Sequence, residues 1–464
     1  MQFLLGKLMP AATALAGAFA LVLWLKAGPP VDVEERLPGQ DGAPEQRALA
    51  QGPVHLTSRL IRGEGKPADL PGAWPRFRGP RLDNIVHSET TLAREWPKGG
   101  PPKLWTLEMA EGYAAAAVWK GRVFVHDYDR EASQEAIRCL SLADGAEIWR
   151  FVYSLKIKMN HGITRTMPAV TEKHLVALGP LCHVTCLDPA SGAKRWMIDL
   201  VREHGATVPP WYAGQCPLID GERAILAPGG PEALLMAVEC ATGKILWKTP
   251  NPDEWRMTHS SIVPVTLAGR RMYVYCAHRG VVGVSADDGR LLWRTPEWRI
   301  SIATIPSPVP LPGDRLFLTG GYNAGSLILQ LKAQGDSVGV EVVKRLPPKV
   351  FDSEQHTPIL YEGHLYAVRS DGRLACADLE GNPLWDSGPD KFGLGPYLIA
   401  NGLIFVMDDD ARMVLAEATP GGYRKLADAR ILDGHDAWGP MTLVEGRLIV
   451  RDMTRMVCLD VRAR

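Results

Sequence analysis

The chain has no excess of charge of either sign. Its 464 residues carry 52 basic and 52 acidic side chains, so no net field draws it toward nucleic acid. It also lacks a Gly-x-Ser-x-Gly elbow, a phosphate-cradling loop and a dinucleotide fingerprint, the sequence marks of common hydrolases and nucleotide enzymes. No two of its eight cysteines are adjacent. Cys139 and Cys186 each stand six residues before a recurring glycine, and Cys458 falls in a similar Val-Cys-Leu-Asp setting. Equivalent sites in separate repeats lie too far apart for a disulfide, which needs α-carbons within about 7 Å. Cys182 and Cys186, four apart on one strand, would be separated by about 13 Å. Buried thiols acting as small apolar residues are therefore expected. The twelve histidines are scattered, and His161 has no partner at metal-ligand spacing. Asp408 to Asp410 lack the alternating spacing of a calcium loop and read as a hairpin turn.

What the chain does have is repetition. Gly-x-x-x-Trp occurs at Gly145/Trp149, Gly192/Trp196, Gly243/Trp247, Gly289/Trp293 and Gly381/Trp385, with tryptophan intervals of 47, 51, 46 and 92. The last interval is twice 46, which places a degenerate copy within residues 336–346; another weak copy fits 421–428. Between the copies run short apolar segments broken by turn residues, the pattern of strands. A period near 46 matches a four-stranded propeller blade of roughly 40–50 residues. The motif glycine supplies the positive φ of a hairpin, and the tryptophan is a large face to bury against the neighbouring blade.

After residue 439 only three strands remain, while Trp105 sits in a lone strand ahead of the first full repeat. Joining them closes a ring, which removes the open edge. The expectation is an all-β, eight-bladed β-propeller of four-stranded antiparallel blades over residues 103–464, its last blade closed by an N-terminal strand. Upstream, the uncharged run 8–25 between Lys7 and Lys26 is close to the roughly 20 residues that span a bilayer as a helix. Residues 1–26 read as a signal anchor, with a cleaved signal peptide as the alternative, and Lys7 kept inside places the rest across the membrane. Residues 27–72, rich in Pro, Gly and charge, read as a flexible linker. Residues 73–102, with Trp74, Phe77 and Trp96, read as a strap across the propeller.

Prolines mark the start of the inner strands at Pro168, Pro217, Pro308, Pro358, Pro396 and Pro440, where no ladder donor is needed. Ala115 and Ser261 take that place in the other two blades. Two residues earlier lies a ring at the channel mouth: Tyr113, Thr166, Gln215, His259, Pro306, His356, Leu394 and Trp438. Converging loops on a rigid frame make this the candidate ligand-binding site. Its polar members exchange hydrogen bonds, and none is a carboxylate, arginine or lysine. Arg165, Tyr212, Gln355, His435 and Asp436 on nearby loops are secondary candidates.

The Asp-Gly-x-x-x-Trp repeats, together with "AWPRFRGPRLDN" (73–84) and "EWPKGGPPKLW", make the chain resemble exported bacterial proteins with pyrroloquinoline-quinone-like repeats. That superfamily includes quinoprotein alcohol dehydrogenases and the propeller lipoprotein of the outer-membrane assembly machine. The resemblance covers roughly residues 73–464 and implies a periplasmic place in the bacterial cell envelope, anchored in the inner membrane through the N-terminal helix or secreted. Quinoproteins hold the quinone on a tryptophan floor beneath a disulfide of adjacent cysteines, with calcium and a catalytic aspartate. This chain has no such cysteine pair, and Asp436 is the one acid placed near the mouth. The expectation is a non-catalytic propeller that needs no cofactor and binds an envelope protein or a small ligand. A PQQ-dependent oxidoreductase with calcium is the alternative, and nucleic acid is not an expected partner.

Overall fold

Each repeat folds as one sheet because short apolar runs, buried on both faces in the middle strands, are set between turn residues. The computed structural model describes residues 17–23, 56–157 and 161–463. Blade 1 is built from Ala117–Trp119, Arg122–Asp129, Gln134–Ser141 and Glu147–Ser154. The pattern returns through six more blades, whose inner strands are Ala169–Val170, Leu218–Asp220, Val263–Leu267, Val309–Leu311, Ile359–Tyr361 and Tyr397–Ala400. Blade 8 contains Thr442–Val444, Arg447–Arg451 and Arg455–Asp460, and its fourth strand is Lys103–Glu108, paired antiparallel with Trp105 opposite Cys458. At the seam the Thr442 hydroxyl donates to the Ala116 carbonyl at 2.6 Å. The eight-bladed, all-β wheel closed by both ends of the repeat region is the architecture expected from the sequence.

The glycine and the tryptophan of the motif meet across blades. All five motif glycines have φ between 72° and 80°. A Cβ on Gly145, Gly192, Gly243 or Gly289 would stand 2.2–3.0 Å from Trp105, Trp149, Trp196 or Trp247 respectively, the tryptophan of the preceding blade. So the glycine serves twice, as a left-handed turn residue and as the flat seat for the indole of the preceding blade. Three indoles also donate to main-chain oxygens of the following blade: Trp105 to Leu142, Trp196 to Cys240 and Trp385 to Thr419, at 2.8–3.1 Å.

The cysteines follow from the same geometry. Cys139, Cys186, Cys376 and Cys458 lie directly opposite Trp149, Trp196, Trp385 and Trp105, where a small apolar side chain leaves room for the indole. All eight cysteines are buried free thiols. Beside each such pair the register shifts by one residue. The same shift puts Lys344 and Ala427 in the tryptophan position of blades 5 and 7, which locates the two degenerate copies.

The segment before the wheel is more ordered than a linker ending at residue 72. Ser58–Arg62 adds a fifth, antiparallel strand to the outer edge of blade 1; the rest of the proposed linker up to residue 55 lies outside the described residues. The strap then crosses the face that carries the tight turns between inner and second strands. Trp74 bridges Val118, Pro75 accepts from Val170 N, and the Arg76 guanidinium reaches the Ile219 carbonyl in blade 3. From there it spans to blade 6, where Arg78 donates to the carbonyls of Thr357 and Pro358, and Ile85–Val86 pairs parallel with the inner strand of blade 7. Thr90 and Ser88 end on Glu445 in blade 8, and Trp96 stacks on Phe405. As for the N-terminal run, residues 17–23 are helical and the remainder lies outside the described residues. Among the described residues no helix is long and apolar enough to cross a membrane.

Candidate functional site

The loops leading into the inner strands converge on a cavity of about 250 Å³. Phe77 from the strap lines it from the turn side, and the loops between blades line it from the opposite side. One wall is aromatic. Tyr113 stacks on Trp438 at 5.2 Å and meets His161 edge-on, its hydroxyl 3.2 Å from His161 Nδ1. The Tyr113 loop is fixed by Arg451, a fully buried cation that donates to the carbonyls of Ala110, Ala114, Asp452 and Met453. Trp438 is fixed by Asp409, which accepts from the indole at 2.7 Å and from Leu394 N at 2.9 Å. The Asp408 to Asp410 turn thus anchors the cavity wall.

Of the expected ring, Tyr113, His259, His356, Leu394 and Trp438 line the cavity, joined by Arg165 and Gln355 from the secondary set. Thr166 and Gln215 are buried and turned away: the Thr166 hydroxyl donates to Leu178 O, and Gln215 Oε1 accepts from Ala227 N. Pro306 is likewise outside the lining, where Ile305 takes its place. Blade 4 is aligned one residue differently from the expectation. A girdle of bonds, Cys216 N to Ser261 Oγ, Ser261 N to Ser307 Oγ and Ser307 N to Thr357 Oγ1, makes Ser261 equivalent to the residue before each proline. In extended chain a slip of one residue exchanges the two faces. The inward residue is the third before the strand start in blades 2, 4 and 5, namely Arg165, His259 and Ile305, whereas in blades 6, 7 and 8 His356, Leu394 and Trp438 line the cavity from two before it. Tyr212 is buried behind Trp211, which does line the cavity. His435 is exposed beside Asp436, and neither lines it. Phe77, His161, Trp211, Tyr322 and Glu354 were not candidates, since none falls at the periodic position.

The electrostatics of the cavity are set by burial. His259 and His356 are both held down to about 4, first by desolvation and then by the cations Arg165 and Arg78 respectively, so both imidazoles are neutral at pH 7. Desolvation lowers Arg165 to about 10, which leaves it charged. Burial, and then the charge of Asp352, raise the Glu354 carboxyl. This donor set does not suit a calcium ion with a quinone. A hard cation takes six to eight oxygens, and Glu354 is the single carboxylate among the lining residues. Among the described residues no group of three His, Cys, Asp or Glu side chains could hold a metal.

Comparison with known proteins agrees with the wheel. The family described as outer membrane protein assembly factor BamB matches residues 102–207, 133–296 and 182–422. The protein of that name from Moranella endobia is 22% identical over 292 residues, covering 58% of this chain and 70% of its own. That from Yersinia pestis is 20% identical over 332 residues, covering 61% and 81%. Among solved structures, BamB from Moraxella catarrhalis superposes with a TM-score of 0.53 at 12% identity, over 77% of this chain and 99% of that one. The computationally designed Ika8 protein gives 0.51 at 11%, over 78% and 100%. With its repeats matched from residue 102 to 422, this chain belongs to the PQQ-like repeat propeller family of outer membrane protein assembly factor BamB.

Proposed function

We propose that the chain is a non-catalytic assembly factor of the bacterial envelope, working on the periplasmic side, which holds an envelope protein against the loop face of its propeller. One observation carries the choice of face: the strap runs over the turn face, bonded to blades 1, 2, 3, 6, 7 and 8, while the aromatic cup stays open on the other. Rigid blades presenting aromatic side chains around a concavity suit protein docking, where Tyr, Trp and Arg supply most of the binding energy. Family membership supports the assembly role, and in this reading neither a quinone nor a metal takes part. Residues 1–26 would hold the wheel at the inner membrane.

The test is genetic. Loss of the chain should lower the amount of outer membrane protein recovered in the outer-membrane fraction. Wild type and a turn-face variant, Lys120→Glu with Glu362→Lys, should restore it, whereas Tyr113→Ser with Trp438→Ser should not. An unchanged outer-membrane fraction after deletion would overturn the assembly role, and full rescue by the loop-face variant would overturn the choice of face.

A further inference from the structure

The two buried arginines among the described residues are satisfied, whereas Arg165, half-buried in the cup, has two buried nitrogens without a partner. Arg78 and Arg451 direct their guanidinium groups at main-chain carbonyls, and Arg138 is paired with Asp127 and Glu147. Arg165 has neither kind of partner. Its Nε and Nη2 are buried with no hydrogen bond, and no carboxylate among the described residues lies within ion-pair distance. The neighbouring residues 158–160 are Lys, Met and Asn, so they add no acid. The Tyr113 ring lies 4.7 Å from the guanidinium carbon. An unpaired cation partly out of water is costly, and the ring face offsets only part of that cost.

The two unpaired nitrogens are the informative detail. Nε–H and Nη2–H lie parallel on one edge of the guanidinium, the edge that grips both oxygens of a carboxylate in a bidentate pair. The Nε2 of His356, which lines the same cup, is also buried with no partner. The backbone holds this edge in place, because Gly112 bridges Thr164 in parallel and Tyr113 N donates to Thr164 O at 2.5 Å. Around it stand Tyr113, Trp211, Tyr322 and Trp438, with Phe77 from the strap, an apolar surround for the body of a ligand. Glu354 on the rim and Asp436 beside Tyr113 and His161 disfavour a second negative charge.

We propose that the cup binds a single carboxylate carried on an apolar body, its two oxygens on Nε and Nη2 of Arg165. The group comes either from a free monocarboxylic acid or from the C-terminus of a docked polypeptide. The proposal rests on the loop face being open to ligands and not on the assembly role, and binding by the purified chain succeeds or fails independently of the genetic test above.

Tryptophan fluorescence of the full chain reports on the cup through Trp211 and Trp438. The probes are 3-phenylpropanoate and its uncharged amide, and a leucine-terminated tetrapeptide with a free or amidated C-terminus. At least one acid probe should saturate below about 10 mM, with its amide binding about tenfold or more weakly. Saturation by the small acid identifies a free acid as sufficient, and saturation by the peptide alone identifies a polypeptide end. Arg165→Gln should abolish the preference for the acid without lowering the melting temperature, since it removes an unpaired buried charge. Arg165→Lys, which keeps the charge and loses the fork, should fall between. Equal binding of acid and amide, an Arg165→Gln chain that still prefers the acid, or no saturation by either acid probe would each overturn the proposal.

Discussion

At the scale of single residues, the seat between glycine and indole makes the sharpest demand. Gly192 has φ 74°, and a Cβ there would meet both Leu60 and the Trp149 ring at 2.7 Å. Gly192→Ala should therefore lower stability by about 1–3 kcal/mol, and Trp149→Ala, which empties the seat, by about 3–5 kcal/mol, both read from urea unfolding. The cup histidines make a second prediction. Their folded values near 4 lie below the ordinary value of 6.5, so between these limits the unfolded chain binds more protons. The stabilising contribution is complete above about pH 6.5 and is lost as pH falls toward 4, by about 1–3 kcal/mol per histidine. The melting temperature of His259→Gln with His356→Gln should fall less steeply than that of wild type between pH 7 and 4.5. An equal slope would contradict the burial of these imidazoles. The identity of the inward-facing residues was the part of the site least legible in the sequence. Six strand starts are marked by proline, but in blade 4 Ser261 replaces the residue before proline rather than proline itself. Thr166 and Gln215 stand at the expected distance before Pro168 and Pro217 and still turn into their blades, bonded to Leu178 O and Ala227 N.

At the scale of elements, Gly-x-x-x-Trp was legible because two independent constraints, a positive φ and the close approach of an indole, fall on one glycine. The copies in blades 5 and 7 were harder to see, since Lys344 and Ala427 keep the backbone register while losing the side chain. The strap was recognisable by its aromatics but not in its path, which depends on side chain to carbonyl bonds that leave no periodic trace. Arg78 is its pivot, with four bonds to the carbonyls of Leu82, Asp83, Thr357 and Pro358. Arg78→Met keeps much of the volume and strands those oxygens, so a loss of about 2–4 kcal/mol is expected. Amide exchange should quicken first across residues 74–86. Protection there matching wild type would show that Arg78 does not hold the strap.

At the scale of the whole molecule, eight similar sheets form one cooperative body because strand Lys103–Glu108 completes the last of them. Leu107→Pro removes a ladder donor from that strand, whose N–H groups at alternate residues face Arg455–Asp460. It should reopen the seam and divide a single unfolding transition into two, blade 8 melting ahead of the rest. The closed wheel gives the loop face its stiffness, and the strap takes up the opposite face, so the two ends of the channel are unequal although the repeats are alike. That inequality is the central claim. It is tested most directly by placing a photo-crosslinking residue at Gln355 or His435 on the loop face, and at Lys120 or Glu362 on the turn face, in living cells. The account predicts a discrete adduct to an envelope protein from Gln355 or His435, lost in Tyr113→Ser with Trp438→Ser, and none from Lys120 or Glu362. Adducts arising only from the turn-face positions would contradict it.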